Sequence, residues 1–127
     1  MLKIDGRDII ITRGDVLPIT ITAQNEIDET NYEFQVDDVI RFKILQKDKM
    51  ENVLLQKDFV ITEAGEEQEI VIPAGDMKIG ELKSKPEDFW YEIEINPDTD
   101  NTNTIEGYDI DLGPAIITIL PEGGEQE

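Results

Sequence analysis

The chain has no histidine and no cysteine, no basic residue after Lys85, and few aromatics, 6% of its 127 residues. Each shortage closes off a kind of chemistry. Without cysteine there is no disulfide scaffold, thiolate metal site or cysteine nucleophile, and without histidine no histidine-dependent triad or ligand set. The lack of cysteine fits synthesis in a reducing cytoplasm. No apolar run in the sequence approaches the ~18–20 residues needed to cross a bilayer. The start, Met1-Leu2-Lys3-Ile4-Asp5, turns polar at once and offers no signal-peptide core. No membrane partner is expected.

Negative charge is what the chain has in excess. It carries 30 acidic residues against 11 basic ones, a formal charge of -19 at pH 7. Nucleic-acid affinity rests mainly on Lys and Arg neutralising phosphates, so no nucleic-acid partner is expected either. The excess is uneven. Residues 86–127 hold 12 acidic residues and no basic one, whereas residues 1–85 hold 18 acidic and 11 basic. The last third is a field of one sign, suited to a solvated face or to a basic or cation-bridged neighbour. Hydrophobic residues still make up 39%, above what a disordered chain of this charge would carry. A domain of this length buries roughly two-thirds of its unfolded surface, enough for one core without staples. The expected organisation is one domain over residues 1–120 and a disordered acidic tail over residues 121–127, Pro-Glu-Gly-Gly-Glu-Gln-Glu.

Alternation with period two dominates the pattern. Residues 16–23 put Leu17, Ile19, Ile21 and Ala23 on one face and Thr20 and Thr22 on the other. Residues 39–47 turn Ile40, Phe42 and Ile44 inward and Arg41, Lys43 and Lys47 outward. Residues 89–96 set Tyr91, Ile93 and Ile95 against Trp90, Glu92 and Glu94. These are strands with one dry and one wet face. Residues 8–12, 53–62, 69–72 and 115–120 read as further strands, and residues 104–108 as an edge strand. Turn signals at Arg13-Gly14-Asp15, Asp48 to Asn52, Ala64-Gly65-Glu66 and Asn96-Pro97-Asp98 separate them. Only residues 75–83 read helical, and the Gly80 within them keeps that segment short. The fold class is all-β: an antiparallel Ig-like β-sandwich of about seven or eight strands with at most one short helical turn.

If strands 39–47 and 89–96 are neighbours, Arg41 and Lys43 face Glu92 and Glu94 on the wet side. With Trp90, these residues form the candidate interface. Alternation places Trp90, from the one aromatic cluster Phe89-Trp90-Tyr91, beside the glutamates, as an interface anchor or sugar platform; the alternative tucks it under residues 75–83. Arg13-Gly14-Asp15 spells an integrin-binding tripeptide, but its place between strands reads as a tight turn. Asp98 to Asn103 looks at first like a calcium loop, yet offers Asn103 and Asp109 where an EF-hand needs Gly and Glu. A looser cation site at Asp98 and Asp100, with Asp109 or Asp111, stays open beside plain turn chemistry. Asp37-Asp38 and Glu66-Glu67 are consecutive and so fall on opposite faces of a strand, wrong for joint acid–base work. Gly123-Gly124 has no lysine beside it, as a phosphate loop requires. Neither catalytic residues nor a cofactor is expected.

Several stretches resemble small phage tail and baseplate modules, including the N-terminal domain of siphophage baseplate upper proteins and related prophage structural proteins. They are Ile11-Thr12-Arg13-Gly14-Asp15 leading into Leu17; Tyr32-Glu33-Phe34 before Asp37-Asp38-Val39-Ile40-Arg41-Phe42-Lys43-Ile44; Ile70-Val71-Ile72-Pro73; Phe89-Trp90-Tyr91-Glu92-Ile93-Glu94-Ile95; and Ile116-Ile117-Thr118-Ile119. The resemblance covers most of residues 9–120 and contains no catalytic residue. It implies a non-enzymatic virion structural protein, assembled in the bacterial host cytoplasm, that docks to other tail proteins or to itself. The alternative class is an Ig-like carbohydrate-binding or adhesion module using Trp90.

Overall fold

Period-two segments become strands wherever their apolar residues find a facing layer. The fold, taken from a computed structural model, is described over residues 2–5, 8–23, 30–79, 85–97, 103–106 and 113–121, with residues 2–5 and 103–106 as backbone only. Nine strands are present among them: β1 (Leu2–Asp5), β2 (Asp8–Thr12), β3 (Leu17–Ile21), β4 (Val39–Gln46), β5 (Lys49–Val60), β6 (Gln68–Ile72), β7 (Glu87–Ile95), β8 (Asn103–Glu106) and β9 (Ile116–Leu120). A single 3-10 turn, Ala74–Met77, is the one helical element described.

The strands form two sheets. The larger runs β1-β2-β9-β7-β4-β5, with β8 sharing the β9 side of β7, and the smaller is β3-β6. In Ig terms β3 and β6 occupy the B and E places, and β9-β7-β4-β5 those of G, F, C and C′. The expected sandwich is present, with one refinement. β2 and β9 pair in parallel, Ile9 beside Ile117 and Ile11 beside Ile119, while every other described pairing is antiparallel. A parallel pair needs a long crossover, and here the rest of the sandwich supplies it.

Inward positions of both sheets make one isoleucine-rich cluster. Ile11, Leu17, Phe34, Ile40, Phe42 and Ile117 are fully buried, and no polar or charged residue is buried among those described. Phe42 also meets Tyr91, with ring centroids 6.0 Å apart. Removing a buried aromatic of this kind costs about 3–5 kcal/mol through lost transfer energy and the cavity left behind.

Three sequence expectations are corrected. β1 was not anticipated, although Leu2 and Ile4 alternate with Lys3 and Asp5; it pairs antiparallel with β2. The reversal expected over Asp48 to Asn52 is tighter, because β5 resumes at Lys49. Asp48 alone takes the left-handed conformation, φ 65°, which Asp tolerates better than most residues. Finally, Asp37-Asp38 and Glu66-Glu67 lie in the turns before β4 and β6, not within strands. Of the helical segment expected over 75–83, residues 80–83 lie outside the described residues, as do the 98–102 part of the cation loop, Asp109, Asp111 and residues 122–127 of the tail.

Candidate functional site

The wet face of the large sheet brings the candidate interface residues together. β4 and β7 are neighbours, with Arg41 opposite Glu94, Lys43 opposite Glu92 and Leu45 opposite Trp90. On the other side of β4, Arg41 lies opposite Asp58 and Lys43 opposite Gln56. Side chains therefore stack in rows across β5, β4 and β7.

The cations are engaged within these rows. Arg41 donates from Nε to Asp58 Oδ1 at 2.8 Å and from Nη2 to Asp58 Oδ2 at 3.0 Å, the two-pronged geometry a guanidinium favours. Lys43 Nζ sits 2.7 Å from Glu94 Oε1, diagonally, and 3.4 Å from Glu92 Oε1. Partial burial alone would lower the Lys43 pKa, but Glu94 and then Glu92 outweigh it and hold the ammonium above its ordinary range. The hydrogen bonds from Arg41 hold the Asp58 carboxyl below the usual carboxylate range, against a smaller opposing effect of burial. Asp58 is the member that sequence reading missed. Its position opposite Arg41 depends on the register of β5, which a chain read one strand at a time does not reveal.

Trp90 occupies a different row. It is half-buried on the wet face, with Leu45 beside it on β4 and Ile116 beside it on β9. Leu45 is only 3% exposed although it lies outside the main core cluster. Trp90 thus stands in an aliphatic row, with Glu92 two residues along on the same face of β7. Of the segment 75–83 that would cover it in the alternative, Met77 is buried in the core on the inner side, and residues 80–83 lie outside the described residues.

At the open end of β4 a polar junction replaces the acidic pair read as inert. Asp38 Oδ2 accepts hydrogen bonds from Tyr32 OH at 2.7 Å and from the Gln35 backbone N–H at 2.9 Å, while Oδ1 accepts from Asn96 Nδ2 at 3.2 Å. Asn96 Oδ1 in turn accepts from the Val39 N–H at 3.0 Å. Backbone bonds from Ile61 N–H to Asp38 O and from Asn96 N–H to Val39 O close the junction. Burial pushes the Asp38 carboxyl up, but the donors from Gln35, Tyr32 and Asn96 prevail and hold it below its ordinary value. Tyr32, desolvated and facing that carboxylate, is pushed up to about 12. These groups are satisfied by one another, so the junction is a fastening between the 30–38 segment, β4 and the end of β7.

Arg13-Gly14-Asp15 forms the turn between β2 and β3, partly buried and tied down. Arg13 N–H donates to Leu120 O, Gly14 N–H to Met77 O and Asp15 N–H to Thr12 O. Gly14 has φ 83°, a left-handed conformation that suits glycine. Among the described residues no group of three or more Asp, Glu, His or Cys is placed to hold a metal ion, and no helix is long and apolar enough to cross a membrane.

The remaining surface feature is the free edge. β5 ends the large sheet, and Met50, Val53, Leu54 and Val60 on it are 39–59% exposed. Register shifts between Ile44 and Gln46 mark bulging of the hairpin near its tip. Inward from the same strand, Lys57 reaches Asp76 at 2.8 Å, and an inward-pointing charge of this kind discourages edge-to-edge pairing. The composition read five of the 11 cations into residues 41–57 without showing that two of them stand apart. Lys47 and Lys49, at the hairpin tip, are exposed and make no ion pair among the described residues.

No family model matches the chain, and neither the curated proteins nor the solved structures contain a match.

Proposed function

We propose that this chain is a non-enzymatic docking module, a structural subunit of a phage or prophage tail or baseplate. The observation that supports a docking role is β5: an edge strand of 12 residues that shows solvent several large apolar side chains. A small domain keeps such a surface at the risk of aggregation unless a partner covers it. The tail setting is supported by the strand-and-turn resemblance running through most of residues 9–120. In this reading the wet face of β4 and β7 sets register, since its charges are engaged with one another, and the edge makes contacts. The carbohydrate-binding alternative has less support, because Trp90 is half-buried between Leu45 and Ile116.

Particles purified after induction of the bacterial host test the proposal. Mass spectrometry should find the chain at fixed stoichiometry in the tail fraction, and antibody labelling should place it there. Recovery only in the particle-free lysate would overturn the tail reading. Glycan-array binding lost on Trp90→Ala would favour the alternative instead.

A further inference from the structure

The outer face of the small sheet divides into two blocks. Leu17, Ile19, Ile21, Ile70 and Ile72 are buried, so the residues between them point away from the core. At one end Pro18 of β3 stands opposite Val71 of β6, with Val16 and Pro73 just beyond the paired residues. Val16 is 50% and Val71 43% exposed, and Pro73 is exposed as well. At the other end Thr20 stands opposite Glu69, and Thr22 and Glu67 flank the last pair, Ile21 with Gln68. Glu67 and Glu69 are exposed and make no ion pair among the described residues.

Charge on this side of the molecule has one sign. The two stretches that carry the small sheet, residues 14–40 and 58–77, hold 13 acidic residues and no basic one. At the β4–β5 tip, by contrast, Asp48 and Glu51 stand beside Lys47 and Lys49, and on the large sheet Lys43 holds Glu92 and Glu94. The size of the face also selects its occupant. Five paired positions on two strands span roughly 17 Å by 10 Å. A stable contact between domains takes about 800 Å² from each partner, several times what this face offers. It suits a short segment, and not the side of a second copy. Pro18 removes a backbone donor from β3, which blunts strand addition there and leaves the face as the place of contact.

We infer that this face binds a short basic segment of a partner protein. One end of the segment is apolar and covers Val16, Pro18 and Val71; the other carries lysine or arginine and meets Glu67 and Glu69. The charges speed encounter and fix the direction in which the segment lies, while the apolar end supplies affinity. The inference goes beyond the docking reading, which rests on β5. It adds a second contact face, on the other layer of the sandwich.

Two synthetic peptides titrated into the isotope-labelled whole chain test it, read by amide shifts and by fluorescence anisotropy. One is a run of valines followed by a run of lysines; in the other, serine replaces every valine. The valine–lysine peptide should shift the amides of β3 and β6 and bind about tenfold more tightly than the serine–lysine peptide. Glu67→Lys with Glu69→Lys should weaken it about tenfold or more, and so should rising salt, because exposed pairs are screened. Val71→Ser should remove most of the preference for valine. These side chains are exposed, and far-UV circular dichroism checks that each variant is folded. Equal binding of the two peptides, shifts spread over other acidic surfaces, or a charge reversal without effect would each overturn the inference. A chain that binds neither peptide but still co-purifies with tails would leave the docking reading intact; a chain that binds as expected but is absent from particles would remove only the tail setting.

Discussion

The β4–β5 hairpin is one element with two unlike ends. At its base, Val39 and Ile61 are stitched to Asp38, Tyr32 and Asn96 by backbone and side-chain bonds from three parts of the chain. At its tip, the ladder bulges, Lys47 and Lys49 stand in solvent, and Met50, Val53 and Leu54 are exposed. Stability is concentrated where polar groups are satisfied internally, and availability where they are not. A region that must meet a partner has to leave contacts unmade until it does so, and the tip is where this molecule leaves them.

The sharpest way to break the comparison is to remove the base. Asp38→Ala leaves Tyr32 OH, the Gln35 N–H and Asn96 Nδ2 without their shared acceptor. Hydrogen bonds to a charged acceptor are worth more than neutral ones, so the loss should be about 2–3 kcal/mol by urea denaturation. Asn96→Ala should cost about 1–2 kcal/mol, since it removes the acceptor for Val39 N–H and one donor to Asp38. Asn96 also holds φ 49°, so Asn96→Gly should be milder than Asn96→Ala, the strain being relieved while the bonds are lost.

Titration separates the two partners at the base. The Asp38 pKa is depressed on folding, so its stabilising contribution is complete above the unfolded value of about 3.9 and fades as pH falls through the folded value. Tyr32 has the opposite sign. Its pKa is raised to about 12 from 10.0, so that contribution is complete below 10 and is lost as pH rises toward 12. Ultraviolet absorbance should show one tyrosine ionising late, and Asp38→Asn should bring it earlier by removing the facing carboxylate. A late tyrosine that persists in Asp38→Asn would mean burial alone causes the shift.

How much of this contrast was legible beforehand depended on the range of the contact. Period two in Leu17-Pro18-Ile19-Thr20-Ile21 and Phe89 to Ile95 fixes which side chains face the core, because alternation is a property of a single strand. The meeting of Lys43 with Glu92 and Glu94 followed from the same alternation once β4 and β7 were made neighbours. Asp58 on Arg41 and Asn96 on Asp38 were hidden, because they depend on register and on loops closing across 17 and 58 residues. Composition counted the cations of residues 41–57 but could not divide them, since only the folded chain shows which carboxylates lie within reach.

The middle of the hairpin should respond between its two ends. A double-mutant cycle on Lys43 and Glu94, both largely shielded at 19% and 15% side-chain exposure, should give a coupling of about 1 kcal/mol. Arg41 with Asp58, where the carboxylate is 43% exposed, should give less, about 0.5 kcal/mol, despite its two-pronged geometry. Equal couplings would mean that geometry outweighs desolvation on this face.

The smallest effect on stability is expected at the tip. Val53→Ser and Leu54→Ser replace side chains that are each 46% exposed, so little apolar surface leaves the folded state, and stability should stay within about 0.5 kcal/mol of wild type. The same pair should remove the chain from the tail fraction if the exposed apolar side chains of β5 make the docking contact. If the pair lowers stability by as much as Asp38→Ala, these side chains belong to the core of the isolated chain, and the division between a fastened base and an available tip fails. If stability holds and recovery with tails is unchanged, the tip is available but is not where the module docks. Only unchanged stability together with lost association fits a hairpin whose base serves the fold and whose tip serves the contact.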